Sequence, residues 1–218
     1  MSDIEYPLLT ESDLPELRTL IKEAFAPREP TTLCLHATPD EVMTYFMDIT
    51  EECIKNNGQI HVGARDPNSG KLVGCCVNNI LTKERMHSPW TYAKVTNDKE
   101  RTFREIFIEV ESHDDVMTRD NVDRLFEYAL LTVDPNFGGK GIAKKLVKMS
   151  EEVAIKEGVK VGLTVTTNII SQNIFTKLGY KVYHTMDYAT LEIGGKRVLD
   201  PVPAGETKGL ILQSKFLF

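Results

Sequence analysis

The sequence contains no apolar run near the roughly 18 residues that a membrane-spanning helix requires, so no span is expected. Its opening segment, Met1-Ser2-Asp3-Ile4-Glu5-Tyr6-Pro7, lacks the basic start and the apolar stretch of a secretory signal. Positive charge is scarce: 26 Lys and Arg face 32 Asp and Glu, a net charge of −6. Nucleic acid and anionic membrane both select clustered cations, so neither is expected as a partner, and a cationic small molecule suits the sign better. The cysteines, at 34, 53, 75 and 76, form no CxxC and no zinc-type spacing. They read as reduced structural thiols in the cytoplasm, with no disulfide framework and no metal. There is no internal repeat, low-complexity tract or long linker, and residues 1–218 read as a single domain.

What is present is a change of period along the chain. A first helix is expected after Thr10-Glu11-Ser12-Asp13, with Leu14, Leu17, Leu20, Ile21 and Phe25 on its apolar side, ending before Pro27 and Pro30. Thr38-Pro39-Asp40-Glu41 combines a capping hydroxyl, a proline at the first helical position and a glutamate three residues after the cap. It opens a second helix carrying Val42, Tyr45, Phe46, Ile49 and Cys53, closed by Gly58. Residues 60–65 and 72–77, joined by Asp66-Pro67-Asn68-Ser69-Gly70, read as a hairpin. Residues 83–120 are polar and irregular, with a helix over Arg101 to Val110 and no strand. A strand over Leu125 to Val133, a helix to Lys156, a strand over Val159 to Thr166, a helix over Ile169 to Leu178 and a strand over Tyr180 to Tyr188 follow. After a polar turn over 194–208 comes a last strand, Gly209 to Phe216. That order predicts an α/β (α+β) fold: a mixed, twisted sheet of about seven strands with helices on both faces.

The segment from Leu130 to Leu146 carries most of the chemistry. A buried strand runs into Asn136-Phe137-Gly138-Gly139-Lys140-Gly141-Ile142-Ala143, a glycine turn that opens a helix. Such a turn aims free backbone amides and the positive end of a helix dipole at one spot, which suits a phosphate. Gly138, Gly139 and Gly141 remove Cβ atoms that would hold a ligand off the backbone. A GxxxxGK[ST] loop needs other glycine spacing and a hydroxyl after its lysine, and a GxGxxG started at Gly139 would need glycine where Lys144 stands. Both nucleotide readings fail, which leaves a pyrophosphate cradle or a ligand-free glycine turn.

The same stretch resembles motif A of the GNAT N-acetyltransferase superfamily, Q/R-x-x-G-x-G/A, with Asn136 where the family carries Gln or Arg. Thr166 to Tyr180 resembles the family's later segment, in which an Asn opens a helix that ends in K-x-G-[FY], here Asn168 and Lys177-Leu178-Gly179-Tyr180. The resemblance spans essentially the whole chain and is nearest the insect-type arylalkylamine N-acetyltransferases. Arg28-Glu29-Pro30, the Thr167 and Ser171 pair, and a C-terminal hairpin with Pro201-Val202-Pro203 carry that narrower match. It implies a GNAT fold and acetyl-CoA as cosubstrate. Amides of Gly138, Gly139, Lys140, Gly141, Ile142 and Ala143 would hold the pyrophosphate. Leu131 and Val133 would run beside the pantetheine arm, Val133 through its backbone, with Asn168 and Ser171 as further cofactor contacts. The acceptor would be a small primary amine such as dopamine, serotonin, tyramine or tryptamine, acetylated by direct transfer in a ternary complex.

Amine acetylation needs a base. An amine of pKa near 10.4 is a free nucleophile in only about one molecule in 2,500 at pH 7, a deficit of roughly 4.6 kcal/mol. The resemblance gives that role to Glu29; the ordinary alternative is a loop carboxylate. Phe175 stands where many acetyltransferases carry a general-acid Tyr and has no proton to give, which leaves the hydroxyls of Thr167 and Ser171, one helical turn apart, beside a capping role. Trp90, Tyr92 and Phe46 are candidate walls of an aromatic pocket, and His184 a ring within reach of the acetyl group. His61 reads as packing. Polyamines, histamine or lysine side chains as acceptors, and a non-catalytic acyl-CoA-binding module, are the competing readings. Phe175 and Asn136 motivate the last.

Overall fold

The computed structural model describes residues 3–85, 87–113, 115–200 and 207–218. In chain order the elements are β1 (Leu8–Leu9), α1 (Leu14–Leu20), α2 (Pro30–Cys34), α3 (Pro39–Asn56), β2 (His61–Arg65), β3 (Leu72–Thr82), α4 (Pro89–Tyr92), α5 (Asp98–Ser112), α6 (Val116–Arg119), β4 (Arg124–Val133), α7 (Ile142–Lys156), β5 (Val161–Thr166), α8 (Ile169–Lys177), β6 (Lys181–Asp187), β7 (Glu192–Ile193), β8 (Lys196–Arg197) and β9 (Gly209–Phe216). Seven strands form one sheet in the order β1-β2-β3-β4-β5-β9-β6, and β7 and β8 make a separate ribbon. All pairs in the large sheet are antiparallel except β4 with β5. This is the mixed, helix-flanked sheet that the sequence predicts.

Alternation along β3 sorts the two faces. Cys75 and Val77 join a core with α1, α3, Trp90 and Phe103, whereas Cys76 joins one with Ile142, Leu146 and Val147 of α7 and Phe175 of α8, as does Val73 beyond the register shift of β3 on β2. We call these the α3 face and the α7 face. The capping box holds as written: the Thr38 N–H and hydroxyl both donate to Glu41 Oε2, at 2.8 and 2.9 Å, and Glu41 N–H donates back to the Thr38 carbonyl.

The sheet is not continuous at its centre. β4 and β5 run parallel and pair only over Leu125, Phe126 and Glu127, opposite Val161, Gly162 and Leu163. Just beyond, the register of β4 on β3 slips: Val77 faces Leu130 and Asn78 faces Tyr128, which leaves Ala129 as a bulge. A bulge bends its strand, and β4 keeps to β3 as far as Val133 while β5 keeps to β9 as far as Thr166. A split thus opens between residues 129–133 and 164–166, through the sheet from one face to the other.

Three sequence expectations change. The first helix does not simply stop at the prolines: α1 widens into a π turn over Ile21–Phe25, tightens to a 3-10 turn over Ala26–Arg28, and restarts as α2 with Pro30 at its first position. Pro27 and Pro30 lack the N–H that one continuous ladder would need, so the chain changes pitch twice. The 83–120 region is more helical than expected: α5 runs from the Asn97 cap to Ser112, flanked by α4 and α6, and no strand occurs among its described residues. The small β7–β8 ribbon was not anticipated. Pro201-Val202-Pro203 lies outside the described residues.

Candidate active site

A cavity of about 480 Å³ occupies the split. On the α7 face it is bounded by the glycine turn and the starts of α7 and α8; on the α3 face it is bounded by the π-turn segment with Arg28 and Glu29, and by Trp90 and Phe107.

The α7-face half is built from backbone. Gly139 and Gly141 sit at φ +74° and +76°, a left-handed region where a side chain is strained. Gly141 caps α7 with no side-chain hydrogen bond, and the first intrahelical bond is Lys145 N–H to the Gly141 carbonyl. The amides of residues 142–144 therefore precede the ladder and stay available to an anion. Two expectations are corrected. The Gly138 amide is already used, donating to the Pro135 carbonyl at 3.0 Å, so Gly138 brings no free donor, and its missing Cβ clears that carbonyl, 3.1 Å from where it would lie. Lys140, expected to give its backbone amide, does not line the cavity, and its ammonium lies 4.7 Å from the centre of the Phe137 ring. Asn136 folds back on its own turn, with its amide N–H and side-chain Nδ2 both donating to Asp134 Oδ1. The motif position where Asn replaces Gln or Arg thus serves the turn.

The open edge of β4 comes next. Asp134 N–H donates to Val73 on β3, so by strand alternation the N–H and C=O groups of Val133 and Leu131 face the split. Both residues line the cavity. Across the split, Asn168 caps α8 by accepting from Ile170 N–H at 2.8 Å, and the Ser171 hydroxyl donates to the Asn168 carbonyl at 2.8 Å. Asn168, Ser171 and Thr167 all line the cavity.

The α3-face half is built from side chains. Glu29 is 3% exposed and caps α2. Its carboxylate accepts from Thr31 N–H at 3.0 Å, Thr32 N–H at 2.5 Å and the Thr32 hydroxyl at 3.0 Å, and the Thr167 hydroxyl adds to these. Burial outweighs the hydrogen bonds and raises its pKa above the ordinary 4.5. Stability linked to the protonated form is then fully present below the ordinary value and lost as pH rises through the raised one. Tyr188, which sequence reading missed, ties the two halves: its hydroxyl donates to the Thr167 carbonyl at 3.0 Å and lies 3.4 Å from the Thr31 hydroxyl.

Trp90 is fixed twice. Its indole N–H donates to the carbonyl of the bulge residue Ala129 at 3.1 Å, and its ring stacks on Phe107 at 4.3 Å. Phe107 lies 17 positions away in sequence, where its spacing marks only a helix stripe. Phe46 packs behind Trp90 at 5.9 Å and does not line the cavity. Tyr92 is 45% exposed and bonds to Arg85 and Glu52 instead. His184 is also outside the cavity, stacked on His113 at 3.9 Å. His61 is buried, accepts at Nδ1 from Asn78 N–H, and is held neutral with a pKa lowered to about 4 by burial. Among the described residues, no three His, Cys, Asp or Glu side chains gather as a metal site requires, and no helix is long and apolar enough to cross a membrane.

Solved structures with this fold include arylalkylamine N-acetyltransferase 2 from Aedes aegypti, at 21% identity, TM-score 0.83 and full coverage of both chains. A Drosophila melanogaster polyamine N-acetyltransferase matches at 20% identity and TM-score 0.83, over 98% of this chain and 100% of the other. An agmatine N-acetyltransferase matches at 20% identity and TM-score 0.84, over 99% and 100%. The model of the acetyltransferase (GNAT) family matches residues 16–180, from α1 through both helix starts and both edges of the split, and the chain belongs to that family.

Proposed function

We propose that the protein acetylates an arylalkylamine with acetyl-CoA, with Glu29 as general base. The observation that carries this reading is a buried carboxylate of raised pKa beside an apolar aromatic wall, at a split whose other side is an amide cradle. Structural relatives are named for arylalkylamine, polyamine and agmatine acetylation, all with amine acceptors.

The chain's residues fit acetyl-CoA. The amides at 142–144 and the dipole of α7 suit a pyrophosphate, and the β4 edge at Leu131 and the Val133 N–H, beside a Val133 carbonyl that Arg28 already holds, suits the amide groups of a pantetheine arm. When bound, acetyl-CoA supplies an activated acetyl group on a thiol of pKa near 8.5, a tolerable leaving group without a strong acid. Glu29, its pKa raised by burial, takes the proton of the incoming ammonium directly or through water. Its hydrogen bonds to Thr31 and Thr32 fix the carboxylate in one orientation. Trp90 and Phe107 receive the aryl group, because apolar rings stack and exclude water. The Ser171 hydroxyl is committed to the Asn168 carbonyl and the Thr167 hydroxyl to Glu29, so both act first as positioning groups.

The test is thiol release from acetyl-CoA with tyramine, dopamine, serotonin, histamine, spermidine, agmatine and a lysine peptide. Highest kcat/KM with the aryl monoamines is expected. Tight CoA binding with no release from any amine would instead favour a non-catalytic acyl-CoA-binding module, the reading that Phe175 motivates.

A further inference from the structure

We propose that Arg28 is a specificity residue that rejects acceptors carrying a second cationic centre, so that the enzyme serves monoamines and discriminates against polyamines and agmatine. This rests on the arylalkylamine reading above.

Arg28 lies on the cavity wall immediately before Glu29. Its guanidinium is pinned in place: Nε donates to the Ala24 carbonyl at 2.6 Å, and Nη2 to the Val133 carbonyl at 2.7 Å and the Thr132 hydroxyl at 3.5 Å. All three acceptors are uncharged, so the hydrogen bonds fix the cation without neutralising it; Asp134 is the carboxylate that acts on it through space. The side of the sheet matters too. Leu131 and Val133 pack on the α7-face core and Leu130 on the α3-face core, so Thr132 projects to the α3 face. Arg28 meets the Thr132 hydroxyl there, on the side of Glu29, Trp90 and Phe107, and reaches the edge of β4 only through the Val133 carbonyl.

Among the described residues, Glu29 is the one carboxylate that lines the cavity, and the reacting amine uses it. A diamine seated with one nitrogen at Glu29 therefore finds no second anion on the described wall, and its far cation meets a fixed guanidinium. Two like charges several ångströms apart near a protein surface differ from a neutral tail by about tenfold in affinity. The tail of tyramine carries no such charge.

The experiment compares kcat/KM for tyramine, agmatine and spermidine in wild type, Arg28→Gln and Arg28→Lys, with the KM of acetyl-CoA measured alongside. Wild type is expected to prefer tyramine, Arg28→Gln to raise the agmatine-to-tyramine and spermidine-to-tyramine ratios about tenfold, and Arg28→Lys, which keeps the charge and loses the planar fork, to hold the wild-type ratios. Ratios unmoved by Arg28→Gln overturn the filter and leave the arylalkylamine reading standing, as does an effect confined to the KM of acetyl-CoA. Equal changes in Gln and Lys assign the effect to lost hydrogen bonds and overturn it as well. A wild type that prefers agmatine or spermidine, or that turns over no amine, overturns both.

Discussion

The two halves of the cavity are made from different material. On the α7 face, a contiguous stretch from Leu131 to Lys144 presents backbone: a free strand edge, then left-handed glycines, then unpaired helix amides. On the α3 face, Arg28, Glu29, Trp90 and Phe107 arrive from three separate segments and present side chains. Backbone donors suit a ligand part that does not vary. Side chains set which acceptor is admitted and how its proton leaves, and they are open to change without disturbing the sheet. Tyr188 spans the division, linking α2 to the end of β5, so the base is held against the cofactor half rather than floating on the α1–α2 segment.

If that division is right, substitutions on the two faces separate in the kinetics. The largest effect is expected from Glu29→Gln, which keeps the shape of the cap and removes the base: kcat/KM for the amine falls by about a hundredfold or more, while the Kd for CoA, read by calorimetry, stays near the wild-type value. Next comes Gly141→Ala. A Cβ at a left-handed residue costs roughly 1–2 kcal/mol; a turn that relaxes to relieve it must be restored to aim the 142–144 amides at the ligand, so the Kd for CoA rises about tenfold, with the amine KM at saturating acetyl-CoA held. The smallest is Trp90→Phe, which leaves the Ala129 carbonyl without its indole donor. A few-fold rise in the KM for tyramine is expected, with the CoA Kd unmoved. Cross-over, such as a CoA defect in Trp90→Phe, would break the division.

The halves also differ in how far the sequence discloses them. The cradle is legible because its determinants are local: glycines at fixed intervals between a strand and a helix force one geometry whatever surrounds them. Even there, the engagement of the Gly138 amide by Pro135 and the turn of Lys140 onto Phe137 depend on a 3-10 turn at Pro135–Phe137 that the glycine spacing does not specify. On the acceptor half only Glu29 was named in advance for a catalytic role, and by family resemblance rather than periodicity. Phe107 was hidden because its stripe of Phe103, Ile106 and Val110 reads as ordinary core, and its exposure to the cavity depends on Trp90 from another segment. Tyr92 and Phe46 looked equivalent to Trp90 in sequence; the short α4 turns Tyr92 outward to Arg85, and Phe46 sits one layer too deep. The split itself has no sequence signature, since a one-residue bulge at Ala129 inside the apolar stretch Tyr128–Leu131 leaves the pattern unchanged.

The most direct test is the pH dependence of kcat/KM for tyramine in wild type and Glu29→Gln. Burial raises the pKa of Glu29 above 4.5, so the base form, and with it kcat/KM, is lost as pH falls through that raised value. The expected result is an acid limb above the ordinary carboxylate range in wild type, separate from the titration of tyramine's own amine near 10.4, that is absent from the residual activity of Glu29→Gln. An acid limb that survives unchanged in Glu29→Gln, or an undiminished rate in that variant, contradicts the assignment of Glu29 as the base.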